Sequence, residues 1–408
     1  MFRTTITADA EPRRVEALVS QAGSEVVTVV LAEVSGGAGT WTAAATIEGH
    51  ILPNTQLSYR FRVTDANGQQ FVSPPAGLLT VDDRFAWQKL NGPVVRLHWN
   101  GGTEAFGQRA LDIGERAVAN AAQLLGVTET DPIDFFIYDS EQDFRDAFGP
   151  GTRENVAGTA INETRTMFAF ILPAQIDQEW VDVLVAHELT HLVFDTATRN
   201  DYRRAPHWLN EGIATYLSEG NAVRWQQTLR NAVDTGRVMP LPGMTSTFGA
   251  GPERFDLGYA ESVSAVDFFV KTYTEPKLWE LVRSYSQGVT DDEAFTTATG
   301  ADLAAFNAAW MASLGVGVPP SLGPQPGPPS TGGSSAPRPA PTTSRAPFNP
   351  IVMVIAVVVV LVALAMVIRR VRRRPPPPPP PPPPTQPPWW GPQPPGGPPP
   401  PPGWESYP

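Results

Sequence analysis

The sequence predicts a multidomain fold: an N-terminal all-β sandwich, an α+β domain, a disordered linker, a single transmembrane helix and a proline-rich tail. Three observations predict it. Residues 27–64 alternate apolar and polar side chains in short runs between turn signals. Residues 94–310 mix such runs with long helical periods around a His-Glu-x-x-His pentapeptide, and residues 351–368 form an uncharged apolar run between two low-complexity stretches.

In chain order, residues 1–83 come first. Strands are expected over 27–34, 41–47 and 57–64, where Leu57, Tyr59, Phe61 and Val63 alternate with Ser58, Arg60, Arg62 and Thr64 before an Asp65-Ala66-Asn67-Gly68 turn. This spacing suits an immunoglobulin-like or fibronectin-type sandwich, a spacer or binding module without chemistry of its own. His50 falls in a loop beside Pro53-Asn54. Residues 84–315 follow, with strands over 94–99, Ile133–Tyr138 and 167–172, a helix over Glu104–Leu125, and a hairpin from 157–161 and 167–172.

The chemistry begins at His187-Glu188-Leu189-Thr190-His191. On an α-helix, side chains at i and i+4 share a face, about 5–6 Å apart at Cβ, which suits two ligands of a tetrahedral zinc. Glu188 then faces a metal-bound water without ligating the metal. Trp180, Val181, Val183, Leu184, Val185, Leu189, Leu192 and Val193 make this a largely apolar, interior helix, where imidazoles need polar partners. Taken singly, each histidine also fits a core residue bonded to backbone.

A third ligand is sought on a second helix. Glu211 is the candidate, in Trp208-Leu209-Asn210-Glu211-Gly212-Ile213-Ala214 on a helix beginning after Pro206; His207, at the helix start, is the rival.

HELTH followed by WLNEGIA resembles the gluzincin metallopeptidases, the group of thermolysin and the zinc aminopeptidases, and most of all the bacterial peptidase MA-like proteins, over residues 84–315. The resemblance implies one Zn2+ per chain on His187, His191 and Glu211, with Glu188 as general base. Such a ligand set leaves a fourth position open, where water becomes acidic near neutral pH. Glu188 takes its proton during attack on a peptide carbonyl and returns it to the leaving amine. Thermolysin-like enzymes steady the oxyanion with a downstream histidine, and no histidine follows His207. The segment Leu257-Gly258-Tyr259-Ala260-Glu261-Ser262 is similar to the tyrosine-bearing segment of the peptidase MA-like branch, which implies Tyr259 as the donor. As a residue alone, Tyr259 reads equally as a core tyrosine; Tyr216 and Tyr202 are weaker alternatives. The resemblance also implies that an edge strand before the zinc helix binds substrate backbone by strand addition.

A zinc-bound imidazole usually donates its other N–H to a carboxylate or carbonyl. Asp195, one turn beyond His191, is the residue spacing favours; Asn210 and Glu261 are further candidates.

Residues 316–349, rich in Pro, Gly, Ser and Thr, read as a linker. Residues 350–368 read as the transmembrane helix, long enough at about 1.5 Å per residue to cross about 27 Å of hydrocarbon. Residues 369–408 begin with five arginines, which hold the tail in the cytoplasm and turn the catalytic domain outward, on a single-pass cell-membrane protein. The first residues carry no apolar signal segment, so a signal peptide is expected upstream of Met1, the alternative being that the apolar run serves as a reverse signal-anchor. The tail's proline run with Trp389, Trp390 and Trp404 is low-complexity sequence or a dock for a cytoplasmic partner. A net charge of −11 argues against nucleic acid, and the lack of cysteine excludes disulfides and thiolate ligands. The function expected is a membrane-anchored zinc metallopeptidase acting on a peptide or protein substrate; the alternative is a cell-surface binding or scaffold protein with an inactive zinc domain.

Overall fold

The computed structural model describes residues 1–318 except 23, 150–156, 201, 247 and 249–251. Nearly all of the linker over 316–349, the transmembrane run over 350–368 and the tail over 369–408 therefore lie outside the described residues. Among those described, no helix is long and apolar enough to cross a membrane.

The N-terminal β-rich region has eight strands: β1 Phe2–Thr7, β2 Arg14–Gln21, β3 Thr28–Leu31, β4 Glu33–Gly37, β5 Thr40–Ala45, β6 Gln56–Thr64, β7 Gln70–Val72 and β8 Ala76–Leu79. One antiparallel sheet runs β1-β5-β4 and the other β3-β2-β6-β7, with β8 also on β6. Phe2, Ala43 and Ala45 from the first sheet meet Val15, Ala17, Val19, Leu57 and Phe61 from the second in one apolar cluster. The run over 27–34, expected as one strand, is two. Buried Ala32 marks the break: β3 pairs with β2, the chain turns inward, and β4 pairs with β5 in the other sheet. Ala38 and Gly39, both with positive φ, form the two-residue turn joining β4 to β5, the backbone that matches strand twist.

The second region has a five-stranded sheet of β9 Gln88–Asn91, β10 Val95–Trp99, β11 Ile133–Tyr138, β12 Gly158–Ile161 and β13 Thr166–Phe170, in the order β12-β13-β11-β10-β9. The three inner strands are parallel and both edges antiparallel. Its helices are α1 Glu104–Leu125, α2 Glu141–Phe148, α3 Glu179–Thr198, α4 His207–Ser218, α5 Val223–Asp234, α6 Pro252–Tyr273, α7 Glu275–Ser284, α8 Asp291–Thr299 and α9 Leu303–Ser313. Helix α1 has the expected bounds because both ends are signalled: the Thr103 side chain accepts from the Phe106 N–H, and Gly126 closes the helix in the left-handed conformation. Gly107 lets the helix lie on Trp99, since a Cβ there would stand 2.6 Å from the indole.

Helix α3 is apolar on nearly every side because neighbours cover it: α1, α4, α7 and the sheet at β12 and β13. Asp182 in its first turn sits 3.4 Å from Arg109 and 3.3 Å from Arg116 of α1. Helix α4 buries Trp208, Leu209 and Ile213, and packs on α6 at Gly212. A Cβ at Gly212 would stand 2.6 Å from the Ser262 carbonyl oxygen, so only glycine admits this approach.

The two regions meet through polar groups. Asn54 Nδ2 donates to Asp134 Oδ2 at 3.0 Å and Thr166 Oγ1 at 2.8 Å, Tyr138 donates to Asp82 at 3.0 Å, and His50 Nε2 lies 2.6 Å from the Ala147 carbonyl. His50 is thus a contact between regions rather than a loop residue alone.

Candidate metal centre

Helix α3 carries His187, Glu188 and His191, and α4 delivers Glu211 from across the pair. The two imidazole Nε2 atoms are 3.2 Å apart; Glu211 Oε2 lies 3.3 Å from that of His187 and 3.6 Å from that of His191. Three donors on a tetrahedral zinc with bonds of about 2.0–2.2 Å would be separated by about 3.3–3.6 Å. The observed separations fit, and no other group of three such donors occurs among the described residues. The donor chemistry fits as well. Two ring nitrogens aimed at each other repel through their lone pairs unless a proton or a cation lies between them, and buried Glu211 Oε2 faces both at 3.3 and 3.6 Å.

Electrostatics point the same way. Burial alone would push the Glu211 carboxyl up, but His191, the hydrogen bond from His187, and His207 together hold it well below the usual carboxylate range. Burial would lower His187, and the Glu211 hydrogen bond with the charges of Glu188 and Glu211 outweighs it, leaving the imidazole raised. The ionised Glu211 carboxylate thus stands between ring nitrogens that could share a cation with it.

His207 does not join the triad. Its Nδ1 stands 3.7 Å from Glu211 Oε1, the oxygen turned away from the other histidines, and its ring packs 4.7 Å from that of Phe248. Burial lowers its pKa.

The outer partner of His191 is Asn210, whose Oδ1 lies 2.9 Å from Nδ1 and so fixes the ring with Nε2 toward Glu211. Asp195, favoured by spacing, is corrected by the structure: its carboxylate accepts from Arg199 at 3.0 and 2.6 Å, and one helical turn carries it past the imidazole. Glu261 is turned elsewhere, accepting the Met239 N–H at 2.8 Å.

Tyr259, on α6, is half-buried with its ring 5.9 Å from that of His187, among Trp225, Phe248 and Phe255. Tyr202 is 89% exposed, and Tyr216 packs at the margin of the core. Among the described residues strand β12 pairs only with β13, leaving its other side as a sheet edge, and a Cβ at Gly158 would stand 3.1 Å from the Leu184 side chain of α3.

Arg165 escaped sequence reasoning. It closes the β12–β13 hairpin with φ of 49°, donates to Thr196 of α3 at 2.9 Å and pairs with buried Glu129 at 2.6 Å. It ties the edge strand to the helix bearing the histidines, and no local pattern marks it.

The model of the Peptidase MA superfamily matches residues 113–316, half of the chain. Solved structures with similarity include an aminopeptidase N family protein from Idiomarina loihiensis, at 10% identity and TM-score 0.39, covering 74% of this chain and 72% of that one. Another is an M1 zinc metallopeptidase from Deinococcus radiodurans, at 15% identity and TM-score 0.35, covering 80% of this chain and 65% of that one. This chain thus spans a little under two thirds of the Deinococcus protein. No curated protein matches. On the sequence match over half its length, the chain belongs to the Peptidase MA superfamily.

Proposed function

We propose that this protein is a zinc metallopeptidase that hydrolyses peptide bonds. The observation that carries the reading is the convergence of His187, His191 and Glu211 within 3.2–3.6 Å of one another, with Glu188 on the same helix. One zinc held there would act as a Lewis acid, polarising the substrate carbonyl and acidifying water. Glu188 takes the proton of the attacking water and passes it to the departing amine. Asn210 holds the His191 ring so that Nε2 keeps its aim. Tyr259, beside His187, donates its hydroxyl to the developing oxyanion. The open side of β12 pairs with substrate backbone and lays the scissile bond across the histidines.

A site with three protein ligands among the described residues favours catalysis over a purely structural zinc, which normally has four. Incubation of the zinc-loaded full chain with an unbiased peptide library tests the reading. Cleavage that stops on chelation and returns with zinc is expected; a folded, zinc-loaded protein that cleaves nothing would contradict it.

The uncharged run over 351–368 and the arginines after it support a membrane-tethered, outward-facing enzyme. Protease added to intact cells should remove the catalytic region; protection until lysis would contradict that orientation.

A further inference from the structure

A cavity of about 400 Å³ opens beside the metal centre. Asn210 and His207 form part of its wall, and these are the residues that touch His191 and Glu211. Asn162, the residue after edge strand β12, also lines it. A peptide lying along β12 and across the histidines therefore meets this cavity.

The charge of the cavity is opposite to that of the chain. Arg199, Arg203 and Arg204 line it against one lining acid, Asp195, in a protein of net charge −11. Arg199 is paired with Asp195. Arg204, 89% exposed, reaches Glu163 only at 3.7 Å. Arg203 makes no ion pair among the described residues, although Asp291 and Glu293 of α8 lie within its electrostatic reach. In the sequence, these three arginines flank one further acid, Asp201.

Asn200 holds the backbone beside these arginines. Asn200 Oδ1 accepts from the backbone N–H groups of Tyr202 and Arg203 at 2.9 and 2.7 Å. Its Nδ2 lies 2.5–3.1 Å from the carbonyls of Thr198, Arg203 and Tyr285. One amide thus ties the backbone of Thr198, Tyr202 and Arg203 to the turn after α7, and a fixed backbone leaves Arg203 less freedom to lose on gripping a ligand.

We propose that this cavity is a substrate subsite for a carboxylate, gripped by Arg203 and Arg204. The inference rests on the peptidase reading and names the substrate class it acts on: peptides with a carboxylate a few residues from the cut bond. A planar guanidinium matches a carboxylate through two parallel hydrogen bonds. The carboxylate comes either from an Asp or Glu side chain or from the C-terminus of a short peptide.

The test uses zinc-loaded full chain and matched fluorescent peptides, differing only in Asp against Asn at each position, or in C-terminal acid against amide. Binding is read by anisotropy on Glu188→Gln, and cleavage on the parent. The carboxylate form should bind about fivefold to tenfold more tightly, in KM rather than kcat, with the preference shrinking as salt rises. The Arg203→Gln/Arg204→Gln double variant should bring the ratio toward one, while Asp195→Asn, which frees Arg199, should raise it. Dependence on the Asp position identifies a side-chain subsite; dependence on the terminal acid identifies an end-recognition subsite. A ratio of one in the parent, or one that survives the double variant, overturns the inference even if peptides are cleaved. Carboxylate-dependent binding without any cleavage would instead leave the subsite standing and remove the peptidase reading.

Discussion

Glu211 and Glu261 are both buried glutamates on helices packed against each other, and their surroundings drive them in opposite directions. Glu211 is 7% exposed and Glu261 fully buried. Around Glu211 stand three imidazoles, which hold the carboxyl ionised against the pull of burial. Among the described residues, the one hydrogen bond to the Glu261 carboxyl comes from the Met239 backbone N–H, and no imidazole or other cation faces it. Burial therefore wins, and the carboxyl is pushed up to about 8. Burial makes a carboxylate unusual, but convergent nitrogen donors make it a candidate metal ligand.

The largest effect that would break this comparison is loss of metal. Glu211→Ala removes one of three ligands and should lower zinc affinity by more than the roughly 10–100-fold expected for an outer partner such as Asn210. Equal zinc content after dialysis of variant and parent would show that Glu211 is not a ligand. The same measurement on Glu261→Gln should show no loss, because that carboxyl accepts the Met239 N–H and is not part of the donor cluster.

A smaller effect separates Tyr259 from its aromatic neighbours. Tyr259→Phe keeps the ring against His187 and removes only the hydroxyl, so turnover should fall by about 10²–10³ with little change in KM if the hydroxyl meets the oxyanion. An unchanged rate would leave Tyr259 as a packing residue.

The smallest effect is on stability. A carboxyl whose pKa rises in the fold is protonated more readily folded than unfolded. Its contribution is intact below its ordinary value of 4.5 and is lost as pH rises to about 8. Glu261→Gln keeps an oxygen for the Met239 N–H and cannot ionise. Its Tm should exceed that of the parent by a few degrees at about pH 8.5, and the gain should vanish near pH 4.5. A difference independent of pH would mean that Glu261 is charged in the fold.

The candidate donor cluster was legible in sequence because its logic is local. Helical spacing aligns His187 with His191, and Pro206 marks where α4 begins. Helix α1 was legible because Thr103 and Gly126 declare its ends. The choice between Asp195 and Asn210 was not legible. Both are near His191 in sequence or motif, and only the packing of α4 on α3 decides which meets the ring. Strand breaks in the β-rich region were hidden for a related reason, since Ala32 looks like any apolar residue until two sheets compete for the chain. The arginine-lined cavity draws on the end of α3, the turn after β12 and the segment before α6, elements that no sequence window contains together.

The most direct test of the central claim compares zinc content and turnover in the parent and Glu188→Gln. About one zinc per chain is expected in both, with peptide cleavage reduced about 10²–10⁴-fold in the variant. No zinc in the folded parent, or equal cleavage by the two proteins, would contradict it.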